Sequence, residues 1–219
     1  MSRTGRSWGH YPRTEEVVVS LVDRHRPLPH VDGLALPLGN ARSYGDSCLN
    51  DGGVLFAARP LDRFVAFDPS SGILTCEAGV LFSDILDLVV PQGWFLPVTP
   101  GTRFVTVGGA IANDVHGKNH HRAGTFGHHV LAFELLRTDG TRLHCSPEEN
   151  SDWFKATVGG LGLTGVVTWA TIRLRRIQGP WMSGESHKFG NLDEFFSLSR
   201  ASDRDYEYTV SWMDCGARG

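Results

Sequence analysis

The segment from residue 100 to residue 129, PGTRFVTVGGAIANDVHGKNHHRAGTFGHH, concentrates residue types that take part in chemistry. It is rich in glycine and carries five histidines and one lysine. Glycine lets a backbone come close to a ligand, and imidazole and ammonium groups move protons or hold anions. Within it, residues 106–112, TVGGAIA, predict a tight turn that opens a short helix of small residues. Free backbone N–H groups at the start of that helix would face an anion, and we expect a phosphate there.

His116 and Lys118 are the strongest candidates for catalysis in this segment. The glycine between them, Gly117, opens both side chains toward a shared space. The other histidines have a simpler interpretation, in which each ring bonds a loop carbonyl. This interpretation applies to His120, His121, His128 and His129.

A metal site is the alternative for the same histidines. His116 and His120 are four residues apart, a spacing that suits zinc on a helix, and Asp114 is near. Gly117 and Asn119 weaken any helix there, and no Cys pair or HExxH motif accompanies the histidines. We therefore expect no metal.

A second candidate site is the polar loop 39–47, GNARSYGDS, which follows a short predicted strand at 34–38. Ligand loops in mixed α and β folds occupy such positions after a strand. Arg42 and Tyr44 lie at the tip of the loop, where an arginine can hold an anion through two hydrogen bonds.

A third glycine-rich stretch, Gly160-x-Gly162-x-x-Gly165, matches the dinucleotide-binding fingerprint in spacing only. That fingerprint follows a strand and opens a helix, whereas here a predicted helix precedes the stretch and a strand follows it. The sequence TVGG at 157–160 repeats TVGG at 106–109, so both turns are candidates for close approach to one ligand.

Bulk composition narrows the class of protein. With 219 residues and a formal charge of −3, the chain has no basic excess to attract nucleic acid. Four scattered cysteines without a CxxC pair predict reduced thiols in a cytoplasmic protein. No apolar run reaches the roughly 18 residues needed to span a bilayer, so any membrane contact would be peripheral.

The element pattern predicts an α+β fold with two lobes, at about 14–99 and 100–177, and a further unit at 178–219. Helices are expected at 14–24, 81–90, 151–157 and 191–201. Strands are expected at 34–38, 53–57, 63–67, 73–78, 130–137, 141–145, 165–175, 181–188 and 206–214. Residues 1–13 are expected to lie as an arm across another surface. No closing element follows residue 214, so the chain is expected to be an incomplete fragment.

Taken together, RSYGD at 42–46, PGTRFVTVGGAIAND at 100–114, HGKNHH at 116–121, GTFGHHV at 124–130 and TVGGLGLTG at 157–165 resemble one family. They are similar to the FAD-dependent oxidases of the vanillyl-alcohol-oxidase type, with a PCMH-type FAD-binding domain. The resemblance implies a two-lobed α+β FAD-binding domain at 1–177 and the beginning of an α+β substrate domain at 178–219.

The resemblance also implies a set of residues that contact FAD. These are Gly39, Asn40, Ala41, Arg42, Ser43, Tyr44, Gly45, Asp46, Ser47, Gly101, Thr106, Val107, Gly108, Gly109, Asn113, Asp114, Val115, His116 and Val167. Many members attach FAD through a histidine in the first loop, where this chain has Arg42-Ser43-Tyr44. We therefore expect FAD to be bound without a covalent bond.

The activity that the resemblance implies is oxidation of a secondary sugar hydroxyl by hydride transfer to flavin N5, with His116, Lys118 and Tyr44 as catalytic residues. The expected substrate is a polyprenylphosphoryl-ribose, oxidised to its 2-keto form in the first step of 2′-epimerisation to an arabinose precursor of the cell wall. An NAD-dependent short-chain reductase would complete the epimerisation, in a cytoplasmic or membrane-associated setting. The alternatives are a sugar-lactone or alditol oxidase that uses O₂, and a flavin-binding fragment without turnover.

Overall fold

The computed structural model describes residues 2–5 and 7–216, with the backbone alone for residues 2–5. It is an α+β fold with two main sheets. The strands of the first sheet are β1 (Ser2–Gly5), β2 (Thr14–Ser20), β3 (Ala35–Leu38) and β4 (Val54–Ala57). Their order is β1-β2-β4-β3, and β2, β4 and β3 run parallel to one another.

The second sheet is antiparallel and carries the main core. Its strands are β5 (Phe64–Asp68), β6 (Ile73–Glu77), β8 (Val130–Leu136), β9 (Arg142–Cys145) and β10 (Val166–Arg173), in the order β5-β6-β10-β8-β9. Two short strands, β7 (Trp94–Phe95) and β11 (Arg175–Arg176), pair with each other outside this sheet.

Helices cover the inner face of the second sheet. They are α1 (Phe82–Val89), α2 (Val107–Ala112) and α4 (Ser151–Thr157), which all contribute residues to the core. Two further helices, α3 (His120–Ala123) and α5 (Leu192–Asp205), bury no residue, and single 3-10 turns lie at Val90–Gln92 and Phe126–His129. Apolar residues alternate along the strands, so every second side chain faces the helices. The ring of Phe82 on α1 lies 5.1 Å from that of Phe126, and both are fully buried.

Most of the elements predicted from the sequence are confirmed, but the helix predicted at 14–24 is wrong. Residues Thr14–Ser20 form β2, which pairs with β1 on one side and with β4 on the other. The run Val17-Val18-Val19 explains the error, because β-branched side chains favour strands over helices. Glu16 in this strand is buried.

The C-terminal unit contains its predicted helix, α5, but neither of its predicted strands. Residues 181–188 and 206–214 adopt no strand conformation, because neither segment forms a ladder with another part of the described chain. The chain passes from the first sheet to the second near residue 61, since β5 pairs with β6 and β6 pairs with β10 rather than with the first sheet. The lobe boundary expected at residue 99 therefore falls within the region that builds the second sheet.

Across residues 2–5 and 7–216, no helix is both long enough and apolar enough to cross a bilayer.

Candidate functional site

Three glycine-rich segments that are far apart in sequence meet at one place. A Cβ atom on Gly39 would lie 2.4 Å from Thr106 Oγ1, so the loop 39–47 packs directly on the start of α2. The end of α2 contacts the third segment, because the N–H of Gly159 donates to the carbonyl of Ile111 at 3.0 Å. The third segment also approaches the first, because a Cβ on Gly162 would lie 3.2 Å from Pro37 on β3, two residues before the loop 39–47.

The backbone is held in an unusual conformation at this junction. Ala41, Asp114 and Leu161, one residue from each segment, have positive φ angles of 52°, 41° and 53°. Such angles are costly for residues other than glycine, and they cluster at binding sites, where surrounding structure imposes them.

The loop 39–47 presents hydrogen-bond donors to the outside. The backbone N–H groups of Tyr44, Gly45 and Asp46 donate to no acceptor within the described part of the chain. The guanidinium of Arg42 lies 5.6 Å from the Trp8 ring centroid, and the Trp8 N–H donates to the carbonyl of Ser43 at 3.0 Å. Trp8 thus contacts this loop, as an arm across it would, whereas residues 2–5 of the expected arm 1–13 form β1 and pair with β2 instead. The loop offers an anion three N–H groups and carries one cation, Arg42.

The start of α2 does not supply the free amides that the sequence predicted, and this expectation is wrong. The Val107 N–H donates to the carbonyl of Val80 at 2.9 Å, and the Gly108 N–H to that of Ala78 at 2.8 Å. The Gly109 N–H is capped by Thr106 Oγ1 at 3.1 Å. All three donors of the first turn are therefore used within the protein, and α2 supports the loop 39–47 rather than facing a phosphate through these amides.

Other residues expected at the cofactor surround this junction. The Asn113 side chain donates to the Gly109 carbonyl at 2.8 Å, and the Asp114 carboxylate accepts from the Gly127 N–H at 2.9 Å. Val115 bonds back to Ala110 through its N–H, and Val167 is buried on β10.

Two side chains expected at the cofactor lie on the loop 39–47. The Asn40 side chain donates to the Phe104 carbonyl at 2.7 Å, and Ser47 Oγ donates to the Tyr44 carbonyl at 3.2 Å. Gly101 borders open space.

His116 and Lys118, in the second of the three glycine-rich segments, line a cavity of about 1190 Å³. Phe95, Arg175, Tyr208 and Trp212 contribute to its walls. Both His116 and Lys118 are exposed, and neither side chain forms a hydrogen bond or ion pair with any described residue. The two side chains are thus available to a ligand in the cavity.

The neighbouring histidines are tied into the protein, as predicted for three of them. His120 Nδ1 lies 3.3 Å from the Gly117 carbonyl, His121 Nε2 lies 3.3 Å from that of Tyr206, and His129 Nε2 lies 2.9 Å from that of Ala123. His128 differs, since its Nδ1 accepts from the Thr125 N–H at 3.2 Å rather than meeting a carbonyl. Over the described ranges, no three His, Cys, Asp or Glu side chains form a group that could hold a metal ion.

Tyr44, the third residue expected to be catalytic, does not line the cavity. Its side chain is 78% exposed at the tip of the loop 39–47. The structure therefore brings His116 and Lys118 together but leaves Tyr44 apart from them.

A polar cluster at the cavity wall was missed by the sequence analysis. The guanidinium of Arg175 forms an ion pair with Glu207 through both of its Nη atoms and donates to Tyr208 Oη at 3.2 Å. No motif marks these residues, because Arg175 lies on β11 and Glu207 lies in a segment without regular structure, 32 residues away.

The cysteines take no part in the site. Burial raises the pKa of the Cys76 thiol to about 12 and that of the Cys145 thiol to about 11, so both stay protonated at neutral pH. All four cysteines are free, as predicted, and Cys215 is exposed.

The residues at the junction fit an FAD pyrophosphate. A doubly charged phosphate group needs donors that are not already used, and the N–H groups of Tyr44, Gly45 and Asp46 meet this condition. Gly45 and Gly101 each border space in which even an added Cβ would contact nothing within 4 Å. Arg42, on the same loop, adds one positive charge.

Comparisons with known proteins agree with this geometry. Residues 9–146 match a family described as FAD binding domain. The chain is 40% identical over 201 residues to the decaprenylphosphoryl-β-D-ribose oxidase of Mycolicibacterium smegmatis, covering 91% of this chain and 43% of that protein. It is 31% identical to the L-gulonolactone oxidase of Mus musculus, covering 62% of this chain and 30% of that enzyme.

The human Δ(24)-sterol reductase is 36% identical over 107 residues, covering 49% of this chain and 21% of that protein. The chain thus spans less than half the length of these relatives. The family resemblance drawn from the motifs is confirmed. This chain belongs to the family of PCMH-type FAD-binding domains.

Proposed function

We propose that this chain binds FAD without a covalent bond and oxidises a secondary hydroxyl of a sugar. The observation that carries the proposal is the position of His116 and Lys118, which line a large cavity in an FAD-binding fold and form no hydrogen bond or ion pair with any described residue. In this proposal residues 1–177 form the FAD-binding domain and residues 178–219 belong to a substrate domain.

The loop 39–47 would hold the pyrophosphate through its free N–H groups, with Arg42 as the neighbouring cation. The remaining residues expected at FAD, from Gly101 to His116 and Val167, would surround the rest of it. Non-covalent binding is supported by the composition of the loop, which has Arg42-Ser43-Tyr44 where many members of the family have a histidine.

FAD, when bound, supplies the acceptor for the hydride that leaves the carbinol carbon. A ring nitrogen of His116 would take the hydroxyl proton as the C–H bond breaks, which is a general-base role. The Lys118 ammonium group would donate to the same oxygen and stabilise the negative charge that develops on it. A catalytic role for Tyr44 stays a prediction.

The similarity to decaprenylphosphoryl-β-D-ribose oxidase over 91% of this chain supports a polyprenylphosphoryl-ribose as substrate and its 2-keto form as product. Reduction of that ketone from the opposite face would invert the carbon and complete a 2′-epimerisation. The partner that performs it would be an NAD-dependent short-chain reductase.

Anaerobic reduction tests this proposal. The FAD-loaded chain is mixed with farnesylphosphoryl-β-D-ribofuranose, and loss of the flavin absorbance is followed. We expect the flavin of the wild type to be reduced. In His116→Ala the rate of flavin reduction should be at least about 100-fold lower, since a general base contributes this much to a rate. His187→Ala is the matched control, because His187 lines the same cavity but pairs with Glu185. Equal rates for wild type and His116→Ala would overturn the assignment.

Acid precipitation tests how FAD is held. Free FAD in the supernatant is the expected result, and flavin that stays with the precipitated protein would show a covalent bond.

The likeness to L-gulonolactone oxidase favours a second candidate function, the oxidation of a sugar lactone or an alditol with O₂ as acceptor. Hydrogen peroxide formed from L-gulono-1,4-lactone or an alditol in air, without reduction by the ribose phosphodiester, would support this candidate over the first.

A further inference from the structure

Glu207 lies at the meeting point of three segments around the cavity. Its carboxylate forms an ion pair with Arg175 on β11, in which Nη1 contacts Oε1 and Nη2 lies 3.3 Å from Oε2. The same Oε1 accepts a hydrogen bond from the side chain of Asn119 at 3.3 Å. Both carboxylate oxygens of Glu207 are thus occupied by groups of the protein.

Asn119 connects this ion pair to the candidate catalytic residues. It directly follows Lys118 and is fully buried. Its Nδ2 has two acceptors, Glu207 Oε1 and the Pro97 carbonyl at 2.8 Å. Because Glu207 is one of only two acceptors for this buried group in the described chain, it helps to fix the backbone beside Lys118.

A second contact holds the other side of Lys118. The N–H of Thr209, two residues after Glu207, donates to the Lys118 carbonyl at 3.0 Å. Residues 207–209 therefore contact the loop at two points, the main-chain carbonyl of Lys118 and the side chain of Asn119. Tyr208 adds an oxygen that accepts from Arg175 at 3.2 Å.

The loop needs such anchors because of Gly117. This glycine is buried against Thr99, whose carbonyl would lie 2.7 Å from an added Cβ, so no larger residue fits there. A glycine between His116 and Lys118 leaves their relative orientation to surrounding contacts. Reacting groups must be held to within about 0.5 Å for efficient catalysis.

We propose that Glu207 is a positioning residue that fixes His116 and Lys118 in the cavity through Asn119 and the 207–209 segment. This inference rests on the proposed function. Glu207 acts through the loop, since its Oε1 accepts from both Arg175 and Asn119 and its Oε2 accepts from Arg175.

Two readouts test the proposal on the full 219-residue chain loaded with FAD. The first is hydrogen exchange of the Thr209 amide measured by NMR, which reports the anchor at Lys118 directly and needs no substrate. The second is the rate of anaerobic flavin reduction by farnesylphosphoryl-β-D-ribofuranose, separated into the limiting rate and the apparent substrate affinity.

In Glu207→Ala we expect exchange of the Thr209 amide to be about tenfold faster or more, because a charge-assisted contact is lost. The limiting rate of reduction should fall by about tenfold or more while apparent substrate affinity changes by less than about threefold. Glu207→Gln keeps the shape of the side chain and one acceptor oxygen but loses the charge. Its Thr209 exchange rate and its limiting rate of reduction should lie between those of the wild type and Glu207→Ala.

Two control variants separate positioning from general damage. Ser199→Ala removes a hydroxyl that lines the same cavity, and Asp87→Asn removes an exposed carboxylate on α1; neither side chain forms a hydrogen bond or ion pair with any described residue. Both should keep wild-type exchange at Thr209. If Glu207→Ala fails to fold, Glu207→Gln carries the test.

Wild-type exchange at Thr209 and a wild-type limiting rate in both Glu207 variants would overturn the proposal. If the wild type is not reduced by the sugar but Thr209 exchange responds as expected, the proposed substrate fails and the anchoring of the loop stands.

Discussion

Gly39→Ala is expected to weaken FAD binding by displacing the loop 39–47 from α2. The substitution needs no change in backbone conformation, because Gly39 does not have a positive φ. The new Cβ would lie 2.4 Å from Thr106 Oγ1, the atom that caps the Gly109 N–H at 3.1 Å. One methyl group thus forces either the loop or the cap to move.

The size of the effect follows from these distances. Non-bonded atoms in contact are about 3.5 Å apart, so the two must separate by about 1 Å. If Thr106 rotates away, α2 loses its cap, which costs about 1 kcal/mol. If the loop moves instead, the cost is that of overpacking, about 1–3 kcal/mol. Each kcal/mol lowers Tm by about 2–4 °C in a chain of this length.

A double-mutant cycle between Gly39 and Thr106 tests this reasoning. Thr106→Ala alone should cost about 1 kcal/mol through the lost cap. It also removes the atom that Gly39→Ala meets, so the double variant should cost little more than Thr106→Ala alone. Urea unfolding of the apo chain gives the stabilities, and titration with FAD gives the affinities. Gly101→Ala is the control for stability, because its Cβ contacts nothing within 4 Å.

A shift of about 1 Å in the loop would also weaken FAD binding, because it would break at least one charge-assisted hydrogen bond to the pyrophosphate. The Kd for FAD should rise by about tenfold or more. Strict additivity of the two unfolding costs, to within about 0.5 kcal/mol, would refute the contact between the loop and α2. Unchanged FAD affinity in a destabilised Gly39→Ala would instead place the pyrophosphate away from this loop.

Three further outcomes test the structure. Hydrogen bonds from Ser70 and Ser71 lower the pKa of Asp68 from 3.8 to about 2. The stability that this carboxylate contributes is therefore present above about pH 4 and is lost as the pH falls toward 2. The difference in Tm between the wild type and Asp68→Asn should shrink over that range, and a constant difference would contradict this prediction. Ellman's reagent at pH 8 should label one thiol quickly, that of Cys215, because burial raises the pKa of the other three; two equally fast thiols would contradict this. Phe126→Ala should lower the free energy of unfolding by about 3–5 kcal/mol in urea, whereas Phe104→Ala, at a site 45% exposed, should cost far less; equal costs would refute the assignment of the core.

The parts of the fold that could be predicted are those specified by local chemistry. The turn Asp68-Pro69-Ser70-Ser71-Gly72 sets the β5–β6 hairpin, and its first carboxylate accepts bonds from Ser70 and Ser71, as turn-forming Asp residues do. The order of α4, the glycine-rich turn and β10 was also specified locally, and it excluded a Rossmann site in spite of the matching spacing of glycines.

The errors lie where distant residues decide. The segment expected to form a helix at 14–24 is held as β2 by its pairing with β1 and β4, which no local pattern reveals. At α2 the sequence correctly predicted a turn into a short helix, but not that Ala78 and Val80 would accept its first N–H groups. These acceptors precede the helix by about thirty residues in sequence.

The candidate site shows the same division between local and distant control. Its reactive groups could be selected from sequence because His116 and Lys118 flank a glycine, but their availability depends on which neighbours found partners. His120 and His129 meet carbonyls three and six residues away in sequence, whereas the carbonyl that His121 meets belongs to Tyr206, which only the tertiary structure brings near. The segment after α5 therefore does two things for the cavity. It fixes the ring of His121 through the carbonyl of Tyr206, and through Thr209 it holds the carbonyl of Lys118. A change in this segment should accordingly alter the chemistry of a loop about ninety residues away in sequence, without touching the residues expected to bind FAD.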